Sequence, residues 1–167
     1  MGARNYLITG VSCAGKTTVC DELLRRGHHA IHGDRELAYA GDPETAEPAT
    51  PSAPGEHIWD VAKVKALVED DTHQATFFCG GARNTHRFLD LFDGVFVLEL
   101  DQETLERRLA ERPDSDWGGP ASDGIAYARL QHETRQGLPD HAISIDATAP
   151  LHAVVNTILE GTDLAKR

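Results

Sequence analysis

The sequence predicts a single α/β domain in which a five-stranded parallel β-sheet lies between two layers of helices. Short apolar runs alternate with helical patterns along the chain, which is typical of parallel strands joined by crossover helices. The run at residues 75–79 is apolar enough to be buried on both faces of a sheet. The length of 167 residues suits one domain, taken as residues 1–167.

The elements follow from local patterns taken in chain order. The strands share a β-type composition and are predicted at residues 6–9, 29–32, 75–79, 94–100 and 142–145. The first helix, 16–26, ends before Gly27, which suits the left-handed position after a helix. A helix over 59–69 has three valines and a leucine on one face, and Asp101 is a good N-cap for a helix that runs to residue 112. One or two helical turns and two further helices are predicted at residues 85–91, 123–136 and 150–160.

Two segments show no periodicity. Residues 41–56 are rich in Pro, Ala, Thr and acidic residues, which predicts an exposed, mobile loop. Residues 113–124 combine Pro, Gly, Ser and Asp and predict a second flexible segment. Neither contributes a strand to the predicted sheet.

The negative net charge limits the classes of partner that the protein can bind. Sixteen basic and 27 acidic residues give a formal net charge of −11, with no basic cluster. Such a field repels nucleic acids and anionic membranes, so a polyanion that binds here is a small one held locally. No apolar stretch approaches the ~18 residues of a membrane helix, and the first residues do not resemble a signal peptide. We therefore expect a cytoplasmic protein that binds neither nucleic acid nor membrane; its oligomeric state is not predicted.

Cysteine and histidine usage argues against a structural metal site. Cys13, Cys20 and Cys79 are odd in number and lack C-x-x-C spacing, and Cys20 has the position of a helix core residue. His29 and His32 belong to a histidine-rich stretch, but a strand directs these two side chains to opposite faces. The sequence therefore predicts neither a disulfide framework nor a zinc site.

A complete phosphate-binding motif stands between the first predicted strand and the first predicted helix. Residues 9–18 read TGVSCAGKTT, which contains Gly10-x-x-x-x-Gly15-Lys16-Thr17. The glycines let backbone N–H groups converge on a phosphate, and the helix N-terminus adds partial positive charge. In this interpretation Lys16 contacts the β- and γ-phosphates, and the Thr17 hydroxyl binds Mg²⁺. The whole predicted nucleotide-binding loop comprises Gly10, Ser12, Cys13, Ala14, Gly15, Lys16, Thr17 and Thr18.

The rest of the sequence separates the main classes of nucleotide triphosphate-binding proteins. A GTPase needs a base-reading Asn-Lys-x-Asp segment, which the chain does not contain. Motor ATPases usually carry an acidic residue at the end of an apolar strand, whereas the third predicted strand ends FFCGG. Both observations argue against hydrolysis as the purpose of the site.

Over nearly its whole length the chain resembles the small P-loop kinases, which include adenylate, shikimate and gluconate kinases. Beyond the phosphate loop, the resemblance rests on Gly33-Asp34 and on Gly80-Gly81-Ala82-Arg83. It implies that Asp34 holds the acceptor hydroxyl and a water on Mg²⁺, with Arg35, Gly80, Gly81 and Arg83 also on the acceptor side. The combination HGDRELAY, FFCGGARN and IDATAP is most similar to nucleoside kinase-like members.

The same resemblance implies a nucleotide side and two moving segments. Arg108 and Arg112 are similar to the R-x-x-x-R that opens the adenylate kinase lid, and Arg129 matches another phosphate-clamping arginine. Arg108 would bind nucleotide, Arg112 and Arg129 would be catalytic, and the loop Asp146-Ala147-Thr148 would lie against adenine. In this interpretation segment 113–124 is a lid, and loop 41–56 is a clamp that closes on the acceptor.

Several alternatives remain open at this point. Asp34 could cap the helix that follows it, and the cations at the end of the predicted helix 101–112 are favoured there by the helix dipole alone. The predicted function is transfer of the ATP γ-phosphate, with Mg²⁺, to a hydroxyl of a nucleoside-type acceptor. A sugar acid, a cyclic polyol, an antibiotic or a nucleoside monophosphate is an alternative acceptor, and a nucleotide-binding regulatory module is an alternative function.

Overall fold

The computed structural model describes residues 3–10, 14–111 and 140–162. In these ranges the strands are β1 (Arg4–Gly10), β2 (His29–His32), β3 (Ala38–Gly41), β4 (Glu56–Trp59), β5 (Ala75–Cys79), β6 (Gly94–Glu99) and β7 (Ile143–Asp146). The helices are α1 (Lys16–Arg25), α2 (Gly33–Glu36), α3 (Val61–Glu69), α4 (Gln102–Glu111) and α5 (Leu151–Glu160), with two 3₁₀ turns at Thr85–Arg87 and Leu89–Leu91. The predicted helix at 123–136 and the predicted lid at 113–124 lie outside the described residues.

The main sheet has five strands in the order β2-β5-β1-β6-β7, and each neighbouring pair is parallel. The chain order reverses beside β1, and ligands of open parallel sheets bind at the carboxyl ends of the strands near such a point. The register pairs Ile8 with Cys79 and Cys79 with His32. The segments that follow β1, β2 and β5 therefore leave the sheet side by side at one edge.

Alternate side chains of the central strand pack into different layers, as the period of two requires. Tyr6 and Ile8 face a core formed with α1 and α5, where Leu23 and Val155 are fully buried. Leu7 faces a second core that contains Val64 of α3. The three-layer α/β/α prediction is therefore confirmed.

The loop predicted over residues 41–56 connects two short strands that were not predicted. Its two ends belong to β3 and β4, which pair antiparallel as a separate two-stranded sheet, and β-bridges join Gly41 to Pro48 and Thr50 to Ala53. The segment is largely exposed, as predicted. The predicted helix at 59–69 likewise begins later, at Val61, because residues up to Trp59 pair in β4 and Asp60 caps the helix.

Within residues 3–10, 14–111 and 140–162, no helix is both long enough and apolar enough to span a bilayer. No group of three or more metal-ligating side chains is found in the same residues. The described thiols, Cys20 and Cys79, are buried and reduced, and the hydrogen bond with Cys20, together with burial, raises the pKa of Cys79.

Candidate active site

The flanks of the phosphate loop have the geometry that the motif predicts. Gly10 ends β1, where a Cβ atom would lie 2.6 Å from the carbonyl oxygen of Leu98. Gly15 caps α1 with φ of 98°, a left-handed conformation that favours glycine. Lys16 begins the helix, and its ammonium group donates to the carbonyl oxygen of Gly10 at 2.7 Å. The lysine side chain thus reaches back to the end of β1.

The first turn of α1 suits an anion. It contains no acidic residue, and the hydroxyl residues Thr17 and Thr18 are exposed there. The space where a Cβ of Gly15 would project holds no atom within 4 Å. Backbone N–H groups at a helix N-terminus, an ammonium group and an open approach together fit a phosphate group, and a threonine hydroxyl is a hard oxygen ligand suited to Mg²⁺.

Asp34 lies at the same edge of the sheet, on the short helix α2 after β2. Its Oδ1 atom accepts three hydrogen bonds from outside α2: from His57 Nε2 at 2.9 Å, Trp59 Nε1 at 3.1 Å and the Gly81 N–H at 3.3 Å. His32, and not Asp34, occupies the N-cap position of α2. The alternative in which Asp34 merely caps a helix is therefore wrong.

The surroundings of Asp34 favour its ionised form. Partial burial is the largest influence and opposes ionisation, but the side chain is 41 % exposed. The hydrogen bond from His57, the charge of Lys16 and the hydrogen bond from Trp59 together outweigh it, so the pKa of Asp34 lies below its ordinary value. The effect of Lys16 on this pKa links the carboxylate to the phosphate loop.

Trp59 reaches Asp34 from the core. The indole ring is 1 % exposed and stacks on Phe88 with ring centroids 5.5 Å apart. A Cβ atom on Gly33 would lie 2.2 Å from this ring, and one on Gly80 would lie 2.7 Å from it. These glycines therefore make room for the tryptophan that holds Asp34.

The segment after β5 fixes the end of β4. The Asn84 side chain accepts from the Trp59 backbone N–H at 3.0 Å and donates to the Trp59 carbonyl at 2.9 Å. The Arg83 N–H donates to the His57 carbonyl at 2.9 Å, and its guanidinium lies 3.4 Å from the Glu56 carboxylate. Residues 80–84 therefore secure the strand that carries both side-chain donors to Asp34.

A second set of contacts ties the far end of the hairpin to the domain. Glu44, in the turn after β3, receives hydrogen bonds from Arg87 on its carbonyl and its carboxylate. His86 Nε2 lies 3.3 Å from the same carboxylate. The β3–β4 hairpin is therefore attached both at its tip and beside Asp34.

The predicted nucleotide-side residues also meet. Arg108 on α4 donates to the carbonyl of Ala147, in the loop after β7, at 3.4 Å. The Asp146 carboxylate accepts from the Thr148 hydroxyl at 2.5 Å and from its N–H at 2.9 Å, which lowers the pKa of Asp146. Arg108 and the loop 146–148 are thus in contact with each other.

Of the remaining predicted site residues, two lie within the described residues and four lie outside them. Arg35 is exposed on α2, and its side chain makes no hydrogen bond or ion pair within the described residues. Ala14, which precedes the N-cap residue Gly15, is buried. Ser12, Cys13, Arg112 and Arg129 lie outside the described residues, and their roles stay predictions.

Three residues that support Asp34 were not predicted as part of the site. His57 follows the predicted loop, Trp59 was predicted as the first residue of a helix, and Asn84 belongs to no motif. A signal for the first two exists: they are two residues apart, so on a strand they share a face. Both donate to Asp34 for this reason.

A phosphate loop between the first strand and first helix of a five-stranded parallel sheet defines a P-loop nucleotide-binding protein. Residues 7–123 match the family described as AAA domain, which is more than half of the chain. The chain belongs to this family. No curated protein matches the sequence.

Solved structures of small P-loop kinases share the fold. A sugar kinase from Janibacter sp. HTCC2649 is 21 % identical, with a TM-score of 0.62 over 98 % of this chain and 96 % of its own. A gluconokinase from Sinorhizobium meliloti 1021 is 18 % identical, with a TM-score of 0.56 over 98 % and 92 %. A shikimate kinase from Aquifex aeolicus is 17 % identical, with a TM-score of 0.57 over 93 % and 94 %. The resemblance to small P-loop kinases is thus confirmed at the level of the fold.

Proposed function

We propose that this protein is an ATP-dependent kinase that transfers the γ-phosphate of Mg·ATP to a hydroxyl of a small molecule. One observation carries the proposal: an ionised carboxylate, Asp34, is held by three donors at the same sheet edge as Lys16 of the phosphate loop. A protein that only binds Mg·ATP could use such a carboxylate to hold a water on the metal. A kinase also needs a carboxylate that orients the acceptor hydroxyl and takes its proton.

The residues divide the chemistry between them. Mg·ATP supplies the phosphoryl group, and Thr17, with Asp34 through a water, would hold the metal. Lys16 places positive charge beside the β- and γ-phosphates, where charge is spread in a loose transition state. Asp34 orients the acceptor hydroxyl and takes its proton as the new O–P bond forms. The bond between the γ-phosphorus and the bridging oxygen breaks in the same transfer, and ADP leaves with that oxygen. Arg108, together with Arg112 and Arg129, would neutralise the phosphates further.

The acceptor belongs to one of two hydroxylated classes. A nucleoside-type acceptor follows from the sequence resemblance. A sugar, sugar acid or cyclic polyol is favoured by a specific observation: Trp59 is buried against Phe88 and presents its N–H edge to Asp34, so its ring offers no face on which a base could stack. The names of the sugar kinase, gluconokinase and shikimate kinase with this fold point to the same class.

The test is ADP production from Mg·ATP against a panel of sugars, sugar acids, shikimate-type polyols, nucleosides, nucleoside monophosphates and aminoglycosides. Lys16→Ala is the blank, because it removes the ammonium group from the phosphate loop. We expect one acceptor class to raise ADP release in the native chain, and the blank to abolish the increase.

Asp34→Asn separates transfer from nucleotide binding. It keeps the size of the side chain but removes its charge, so ATP binding should persist while acceptor-stimulated ADP release falls at least ~100-fold. Tight ATP binding with no stimulation by any acceptor would favour a nucleotide-binding regulatory module instead.

A further inference from the structure

The two carboxylate oxygens of Asp34 have different surroundings. All three hydrogen bonds to the side chain end on Oδ1. Within residues 3–10, 14–111 and 140–162, no hydrogen bond ends on Oδ2. One oxygen is thus occupied in holding the side chain, and the other is available to an acceptor hydroxyl.

The donors to Oδ1 differ in how firmly they are placed. Gly81 contributes a backbone N–H, and Trp59 is fixed in the core by Phe88 and Asn84. His57 is 40 % exposed on β4 of the hairpin and makes the shortest of the three bonds, at 2.9 Å. Because a carboxylate only accepts, Nε2 of His57 must carry the proton in this bond.

We propose that His57 is a positioning residue for the kinase reaction: it holds Oδ1 of Asp34 so that Oδ2 faces the acceptor hydroxyl. This inference rests on the proposed function. His57 itself need not touch the substrate, and it acts through the orientation of the carboxylate. The hairpin thereby becomes part of the catalytic apparatus through one side chain.

The test compares two substitutions at His57 with a matched control. His57→Leu removes the donor, and His57→Gln places an amide N–H near the position of Nε2. His86→Leu is the control, because His86 also attaches the hairpin, through Glu44, but does not contact Asp34. We expect His57→Leu to lower kcat/KM for the acceptor ~10- to 100-fold with KM for ATP unchanged, as for loss of a hydrogen bond to a charged group. His57→Gln should recover most of the loss, and His86→Leu should resemble the native chain.

Two outcomes overturn the proposal. Unchanged activity of His57→Leu would show that Asp34 needs no support from the histidine. Equal losses in His57→Leu, His57→Gln and His86→Leu would show that hairpin attachment alone matters.

A separate readout distinguishes failure of this inference from failure of the proposed function. Long-range ¹H–¹⁵N NMR spectra at pH 8 report which nitrogen of His57 carries the proton and whether Asp34→Ala alters that signal. If no acceptor stimulates the native chain, the proposed function fails, yet an Nε2–H signal that depends on Asp34 still supports the holding bond. A proton on Nδ1, or a signal indifferent to Asp34→Ala, overturns it.

Discussion

The indole N–H of Trp59 donates to Oδ1 of Asp34 at 3.1 Å, while the rest of the ring lies in the core. A side chain that is 1 % exposed thus fixes the orientation of one that is 41 % exposed. Packing that stabilises the fold and geometry that serves the site are therefore joined in one residue. Substitutions at Trp59 should separate the two contributions.

Trp59→Phe keeps an aromatic ring against Phe88 but removes the donor to Asp34. We expect the acceptor kcat/KM to fall ~10-fold, the size of a lost hydrogen bond to a charged group, with unfolding easier by about 1–2 kcal/mol. Trp59→Ala, which empties the space as well, should cost about 3–5 kcal/mol. Urea denaturation and steady-state kinetics on both variants check this. A Phe variant with full activity would show that the indole N–H contributes only to stability.

Gly33→Ala tests whether the space for Trp59 depends on the glycine. Its Cβ would lie 2.2 Å from the indole ring, so we expect a loss of about 1–3 kcal/mol in the free energy of unfolding from overpacking, with weaker acceptor turnover. Gly27→Ala is the matched control: φ there is 91°, so it carries backbone strain, but its Cβ would meet no atom within 4 Å. It should cost stability without affecting turnover. Equal turnover in the two variants would contradict the role given to Gly33.

The main sheet could be predicted because each of its strands has its own local signal. The bounds of β2 and β5 agree with the prediction, and those of β1, β6 and β7 differ by only one or two residues at an end. The hairpin could not be predicted in the same way. Its strands are four residues each, and they are separated by a Pro-rich stretch that has no period of its own. Only their pairing across that stretch makes them strands.

The site was predictable to the extent that motifs describe it. Lys16 and Asp34 follow from a phosphate loop and a family position, and the structure brings both to one edge of the sheet. The hydrogen bonds that hold Asp34 were not predictable, because two of them come from a hairpin that the sequence patterns do not predict. His57 carries no motif, and its role depends on a contact 23 residues along the chain.

Arg108 and Arg107 offer a paired test of the nucleotide side. Arg108 contacts the loop after β7 through the Ala147 carbonyl, whereas Arg107 is exposed on the same helix. We expect Arg108→Ala to weaken Mg·ATP binding ~10-fold, because a cation beside the nucleotide is lost, and Arg107→Ala to leave it unchanged. Isothermal titration calorimetry measures both. Equal losses would indicate a general charge effect instead.

Acidification should destabilise the fold through two histidines. Burial lowers the pKa of His28, and the charge of Arg26 lowers it further. Burial also lowers the pKa of His29, as does His73, whose ring stacks on it at 3.8 Å. The charges of Asp70 and Glu36 oppose the shift of His29 but do not cancel it. The unfolded chain, with histidine pKa values of about 6.5, then takes up protons before the native state does as the pH falls. The two histidines therefore do not destabilise the native state above about pH 6.5, and the free energy of unfolding falls as the pH decreases below that value.

The measurement is the urea midpoint at pH 7.5 and at pH 5.5. We expect the native chain to lose stability over this interval and the His28→Gln/His29→Gln variant to lose less. If the two chains decline in parallel, other groups dominate the acid response.

The hairpin of β3 and β4 pairs with neither edge of the main sheet. Its length and sequence can therefore vary without shifting the register of the strands that carry the phosphate loop. Its attachments at Glu44, Glu56, His57 and Trp59 restrict what can be exchanged. If the proposed function holds, replacing residues 45–55 by those of another protein is a route to a different acceptor with the same phosphate donor.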